Sequence, residues 1–169
     1  LLLSALPERL IALEACGISE IVLPEVTAFL RCGDETVAVL RGLKNYAGQE
    51  TGTHTKLILC WATLLNAALL QSGCVDNQER KTAVKRVLQR LKFDNDTILK
   101  AASLAGYSTE EPVADAYRIR RQMNRMGEEV FDLWLIFLEG RQSLMQNLRT
   151  ADEVLEAVRR VTEEIRSKA

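Results

Sequence analysis

Apolar residues recur with the period of an α-helix along nearly the whole chain, and no useful stretch alternates as a β-strand does. Helix caps and helix breakers divide this pattern into segments. Pro7 suits the first turn of a helix that stops before Gly17, and Pro24 opens another that ends near Gly33. Asp34 is placed to cap the next helix. The pattern therefore predicts an all-α fold of eight or nine helices.

The clearest loop in the chain is 47–53, with the sequence AGQETGT. It divides a predicted helical bundle at 1–46 from a larger helical domain at 54–169 that ends in a C-terminal helix. The helix that begins near residue 55 is apolar almost all round, so it should lie at the centre of the fold. We therefore expect two helical regions that meet near this loop.

Capping residues and helix breakers mark where the predicted helices of the second region begin and end. Asp94 or Asn95 should cap a helix that ends at Gly106, and the polar cluster 108–112 should open the following helix. Gly127 should break that helix. Thr150 and Glu153 have the spacing of a capping box for the last helix.

Aromatic side chains fall in the most apolar segments, and core packing is predicted for Trp61, Phe131, Trp134 and Phe137. Two further aromatic residues border turns near basic helices. Hydrophobic docking is favoured for them over contact with a sugar or base; these are Phe93 and Tyr107.

Composition excludes several classes of protein. Of 169 residues, 47% are hydrophobic and 27% charged, which excludes a disordered chain. The net charge of −1 excludes a uniformly basic nucleic-acid binder but permits a local basic patch. The longest apolar run, 57–70, is shorter than the roughly 18 residues of a membrane span, so no membrane contact is expected.

The four cysteines form no C-x-x-C pair and His54 is the single histidine, so no metal-binding residue is predicted. Small buried thiols in a reducing cytoplasm are expected. The chain opens on Leu1-Leu2-Leu3 without an initiator methionine, and we expect it to be part of a longer protein.

Two amphipathic helices carry positive charge on the face opposite their apolar stripe. Guanidinium groups match phosphate in a bidentate geometry, which makes an RNA backbone an obvious partner. The alternative is a solvated face paired with acids from elsewhere, because residues 1–35 hold six acids and two arginines. The candidate phosphate-binding residues are Lys85, Arg86 and Arg90 on the first helix and Arg118, Arg121 and Arg125 on the second.

Four short motifs occur along the chain in the same order as in one known family. The turn and Leu-Pro-Glu step within 10–25, the Trp-Ala-x-Leu-Leu motif at 61–65, the Leu-Lys-Phe step at 91–93 and the Arg-Arg-x-x-x-Arg-x-Gly-x-Glu pattern at 120–129 occur in sequence. This order resembles the neck and body of bacterial tRNA nucleotidyltransferases (CCA-adding enzymes) and their poly(A) polymerase relatives. The likeness covers residues 1 to about 142.

The resemblance implies a neck and body bundle with a degenerate HD-like helical domain, lacking the catalytic head. Relatives carry His-Asp where this chain has Asn66 and Ala67, and neither residue replaces that metal-binding pair. No catalytic residue is therefore assigned, and we expect this chain to be inactive by itself. Mg²⁺, CTP and ATP are implied only for the head of a parent nucleotidyltransferase, which holds the catalytic carboxylates.

Two functions follow as hypotheses. The first is an RNA-binding region, active in tRNA processing in the cytoplasm, that positions the acceptor arm of tRNA or another structured RNA. Addition of CCA, of A or C alone, or of poly(A) by the parent stays open, as does the oligomeric state. The second is a helical protein-interaction or dimerisation module without RNA binding.

Overall fold

The computed structural model describes residues 7–47, 50–144 and 148–169. Within these ranges the chain forms ten α-helices and one short 3-10 turn, and it forms no β-strand, which confirms the predicted all-α multi-helix fold. The helices are α1 (Leu10–Ala15), α2 (Ile18–Val22), α3 (Pro24–Leu30), α4 (Asp34–Ala47), α5 (Thr53–Gln71), α6 (Asn77–Arg90), α7 (Asn95–Gly106), α8 (Ala116–Met126), α9 (Glu128–Leu144) and α10 (Leu148–Ser167).

The chain divides into two compact units, the first ending at Ser108 and the second beginning at Thr109. In the first unit α5 packs against α3, α4 and α7, and α6 packs along α7. The N-terminal helices therefore share a core with α5. The organisation predicted from the sequence, with regions at 1–46 and 54–169, stays a prediction.

Helix α5 forms the centre of the first unit, as its pattern predicts. Leu59, Leu64 and Leu65 are completely buried, and Thr63 donates a hydrogen bond to the Tyr46 hydroxyl at 3.2 Å. In length and composition α5 is capable of crossing a membrane, but 56% of that stretch is buried inside the fold. This burial is what the core helix of a soluble protein shows.

The predicted packing of the aromatic residues is confirmed. Trp61 is nearly buried, and the Phe93 ring meets it edge-on with centroids 5.3 Å apart. In the second unit, where α8, α9 and α10 pack pairwise, Phe131 and Trp134 are fully buried with their rings 5.8 Å apart. These rings stabilise the cores and are not available to a ligand.

Two predicted helix starts are wrong. The cluster 108–112 does not open α8, because Ser108 is buried and its hydroxyl donates into the core of the first unit. Asp115 caps α8 instead, accepting a hydrogen bond from the Arg118 backbone N–H at 2.9 Å. The last helix spans Leu148–Ser167, so Thr150 falls inside it and not at its start.

Candidate functional site

Helix α6 presents its cations to solvent as predicted. Asp76 caps it by accepting from the Glu79 backbone N–H at 2.8 Å, and the stripe of Val84, Val87 and Leu88 is buried. The candidate residues on the opposite side are all exposed; they are Lys85, Arg86 and Arg90.

Arg90 is already matched to a carboxylate. Its Nη1 and Nη2 atoms donate to the two carboxylate oxygens of Glu25 at 2.6 and 2.7 Å, and Nη2 lies 3.4 Å from the Val22 carbonyl oxygen. The hydrogen bond from Arg90 holds the pKa of Glu25 below its ordinary value and raises the pKa of Arg90. Arg90 is therefore paired with an acid of residues 1–35, as the alternative interpretation of a solvated, ion-paired face predicted.

Lys85 and Arg86 differ from Arg90, since neither forms an ion pair with any residue that the structure describes. Arg86 lines an open groove of about 390 Å³ that Asp76 and Glu79 also border. The groove therefore has mixed charge, and an anion would approach Arg86 beside two carboxylates.

Helix α8 carries the second row of candidate phosphate-binding residues. Ile119, Met123 and Met126 are buried and fix the rotation of the helix, which leaves its arginines exposed. The candidate residues of this row are Arg118, Arg121 and Arg125, and Arg120 is exposed as well.

One arginine of this row has a carboxylate partner. Arg125 forms an ion pair with Glu110 in the segment before α8. Within the described ranges, Arg118 and Arg121 have none. The pair Arg118 and Arg121 is therefore the part of the row that can accept an external anion without breaking an existing contact.

The six candidate residues are divided between the two units, three on α6 and three on α8. All six are exposed, and two of them are paired with acids. The structure thus leaves four candidate phosphate-binding cations without an ion pair among the described residues: Lys85, Arg86, Arg118 and Arg121.

Asn66 lies in a buried polar network. Its Oδ1 accepts from the Ser108 hydroxyl at 2.7 Å, and that hydroxyl in turn lies 3.3 Å from Nη2 of Arg80. Arg80 is completely buried. A fixed positive charge beside Asn66 disfavours a bound cation here.

Arg80 is the main residue that sequence reasoning missed. It lies four residues before Val84 and therefore on the buried stripe of α6, so its position, unlike its charge, predicted burial. Its guanidinium donates to backbone carbonyl groups of Cys74, Val75 and Ala105. It thus joins the α5–α6 turn to the end of α7.

His54, Asp94 and Asp96 form an exposed cluster that the sequence analysis also missed. Each offers one ligand atom, and these atoms lie within 4.8 Å of one another. His54 Nε2 lies 2.9 Å from Asp96, which also pairs with Lys100 at 3.0 Å, and the pKa of Asp96 is lowered first by His54 and then by Lys100.

Asp94 in this cluster is engaged as the cap of α7, accepting from the Thr97 backbone N–H and hydroxyl. The N-terminal end of a helix carries partial positive charge, which opposes a cation. The cluster ties the starts of α5 and α7 together, and we assign no metal to it.

No family model, curated protein or solved structure matches the chain. The resemblance to tRNA nucleotidyltransferases therefore depends on the motifs of the sequence alone and stays a prediction.

Proposed function

We propose that this chain is an RNA-binding region of a cytoplasmic tRNA nucleotidyltransferase-like or poly(A) polymerase-like protein. It would position the acceptor arm of tRNA, or a similar structured RNA, by contacts with phosphates. Nucleotidyl transfer with Mg²⁺, CTP or ATP would belong to a head outside this sequence.

The observation that carries the proposal is the unpaired state of Arg118 and Arg121 within the described part of the chain. Five other exposed arginines are matched with acids, whereas Arg86 and Arg120, like Arg118 and Arg121, have no ion pair among the described residues. The arginines with carboxylate partners are Arg31, Arg90, Arg125, Arg159 and Arg166. Like charges one helical turn apart repel, so an anionic partner would relieve a cost that the free protein bears.

Phosphate suits these two side chains chemically. A guanidinium group donates two parallel N–H bonds to phosphate oxygens, and duplex RNA is recognised largely by its shape, phosphates and 2′-hydroxyls. With a net charge of −1, the chain as a whole would not attract RNA. Binding should therefore depend on this local row.

The test is a titration with tRNA at about 50 mM and about 200 mM salt. The double variant Arg118→Ala/Arg121→Ala should bind more weakly and reduce the salt slope by about 1.4 to 1.8, since each lost contact accounts for roughly 0.7 to 0.9. Its melting temperature should hardly change, because both side chains face solvent.

The matched control is Arg159→Ala/Arg166→Ala, which removes the same charge from the same unit. These two arginines already pair with Glu139 and Asp132 on α9, and exposed pairs contribute little to stability. The control should keep the affinity for tRNA. Equal losses in both double variants would show that only net charge matters, and an unchanged affinity in the α8 variant would refute the proposal.

A protein-interaction module is the second candidate, and α2 favours it. Ile18, Ile21 and Val22 are exposed by 44%, 83% and 45%, an unusual concentration of aliphatic surface on five residues. This function predicts no salt-dependent tRNA binding. It also predicts self-association or capture of a partner that Ile21→Lys abolishes, measured by light scattering or by pull-down.

A further inference from the structure

Tyr117 is exposed in a way that the packing of its unit does not explain. It lies in the first turn of α8, and its side chain is 73% exposed. The other two tyrosines are less exposed, since Tyr46 is buried and Tyr107 is half-buried. Helix α8 packs into the core through its other side, where Ile119, Met123 and Met126 are buried. A solvated helix face has no need of an aromatic ring.

The surroundings of Tyr117 are cationic. Successive residues of an α-helix are about 100° apart, so Arg121 lies roughly 40° to one side of Tyr117 and Arg120 roughly 60° to the other. Residues four apart have Cβ atoms about 5–6 Å from each other. The ring is therefore flanked by two guanidinium groups, and neither has a carboxylate partner among the described residues.

An exposed aromatic ring beside arginines is the arrangement by which proteins hold unpaired nucleotides. A base stacks on the ring while the adjacent phosphate meets a cation, and every base offers a face for stacking. Bases inside a duplex already stack on one another and are not available. The arrangement thus selects RNA with single-stranded nucleotides.

We propose that Tyr117 is a stacking platform for one unpaired base of the bound RNA, with Arg120 and Arg121 contacting the flanking phosphates. The inference deepens the proposed function, on which it rests. It specifies the ligand as a duplex that continues into an unpaired segment.

The experiment compares a blunt RNA hairpin with the same hairpin carrying a short unpaired extension. Tyr117→Ala should weaken binding of the extended hairpin by about 5- to 150-fold and leave the blunt hairpin unaffected. Tyr117→Phe keeps the ring and should restore the affinity. Val154→Ala, which trims another exposed apolar residue of the same unit, is the matched control and should change neither affinity.

A spectroscopic readout separates stacking from a structural role. With 2-aminopurine in the extension, the wild type and Tyr117→Phe should quench its fluorescence, and Tyr117→Ala should not. Equal affinity of wild type and Tyr117→Ala for the extended hairpin would overturn the inference, as would equal affinity of the wild type for both hairpins. In those cases salt-dependent binding of the blunt hairpin would still support the proposed function. Binding of neither hairpin by the wild type would refute both.

Discussion

Replacing Arg80 with alanine should strongly destabilise the first unit. Arg80 is fully buried on α6, and among the described residues its guanidinium donates to neutral acceptors and to no carboxylate. Nε donates to the Ala105 carbonyl oxygen at 3.2 Å, and Nη1 donates to the Cys74 and Val75 carbonyl oxygens at 3.0 and 2.8 Å. Nη2 donates to Asn77 Oδ1 at 2.5 Å.

The size of the effect follows from the hydrogen bonds that would be lost. Three backbone carbonyl groups would lose a hydrogen bond from the charged guanidinium of Arg80, and a hydrogen bond to a charged group contributes roughly 1.5 to 3 kcal/mol. The cavity left by the side chain adds to this cost. We therefore expect Arg80→Ala to reduce the free energy of unfolding by about 3 kcal/mol or more.

The assay exploits the distribution of tryptophan. The chain has two, and they report on different units, Trp61 on the first and Trp134 on the second. In a Trp134→Phe background, urea unfolding followed by fluorescence reports the first unit through Trp61. Arg86→Ala is the matched control, because Arg86 is an exposed arginine of the same helix and its removal should cost no more than about 0.5 kcal/mol.

A loss below about 1 kcal/mol for Arg80→Ala, or a loss equal to that of Arg86→Ala, would refute this reasoning. Arg80→Lys gives a second check. Lysine keeps the charge and three donors but lacks the planar fork, so it should recover only part of the loss.

Three further predictions concern other parts of the chain. Gly127 has φ 82° and ψ 149°, a conformation that side chains disfavour, so Gly127→Ala should cost about 1–3 kcal/mol in urea unfolding followed by Trp134 fluorescence; an unchanged midpoint would contradict it. Folding lowers the pKa of Glu25 from 4.5, so its ion pair with Arg90 stabilises the folded state at pH values above 4.5. This stabilisation is lost as the pH falls through the lowered pKa of the folded state. Arg90→Ala should therefore lower the melting temperature at neutral pH and reduce its fall in acid; parallel melting curves against pH would refute this. Burial raises the pKa of Cys60 to about 11, so iodoacetamide near pH 8.5 should modify exposed Cys16 and spare Cys60 until urea is added, as mass spectrometry of the peptides would show.

Local sequence signals predicted much of the secondary structure. Helix α7 starts after the cap at Asp94 and ends at Gly106, as predicted, because a capping carboxylate and a small terminal residue act on the backbone beside them. The rotation of α6 and α8 followed from their apolar stripes, since burial fixes which side faces water. The predicted start of α8 at the cluster 108–112 was wrong, because Ser108 of that cluster is hydrogen-bonded in a buried network with Asn66.

The sequence by itself determined that the fold is helical and that the six candidate cations face solvent, because helical periodicity requires only neighbouring residues. Only the tertiary structure decided which of these cations are paired. Arg86 and Arg90 are alike in periodicity, yet packing of α3 brings Glu25, 65 positions away, to Arg90 alone. The same holds for Arg80, whose acceptors come from the α5–α6 turn and the end of α7. Ion pairs and buried networks join residues distant in sequence, so the packing of helices decides which charges remain for a ligand.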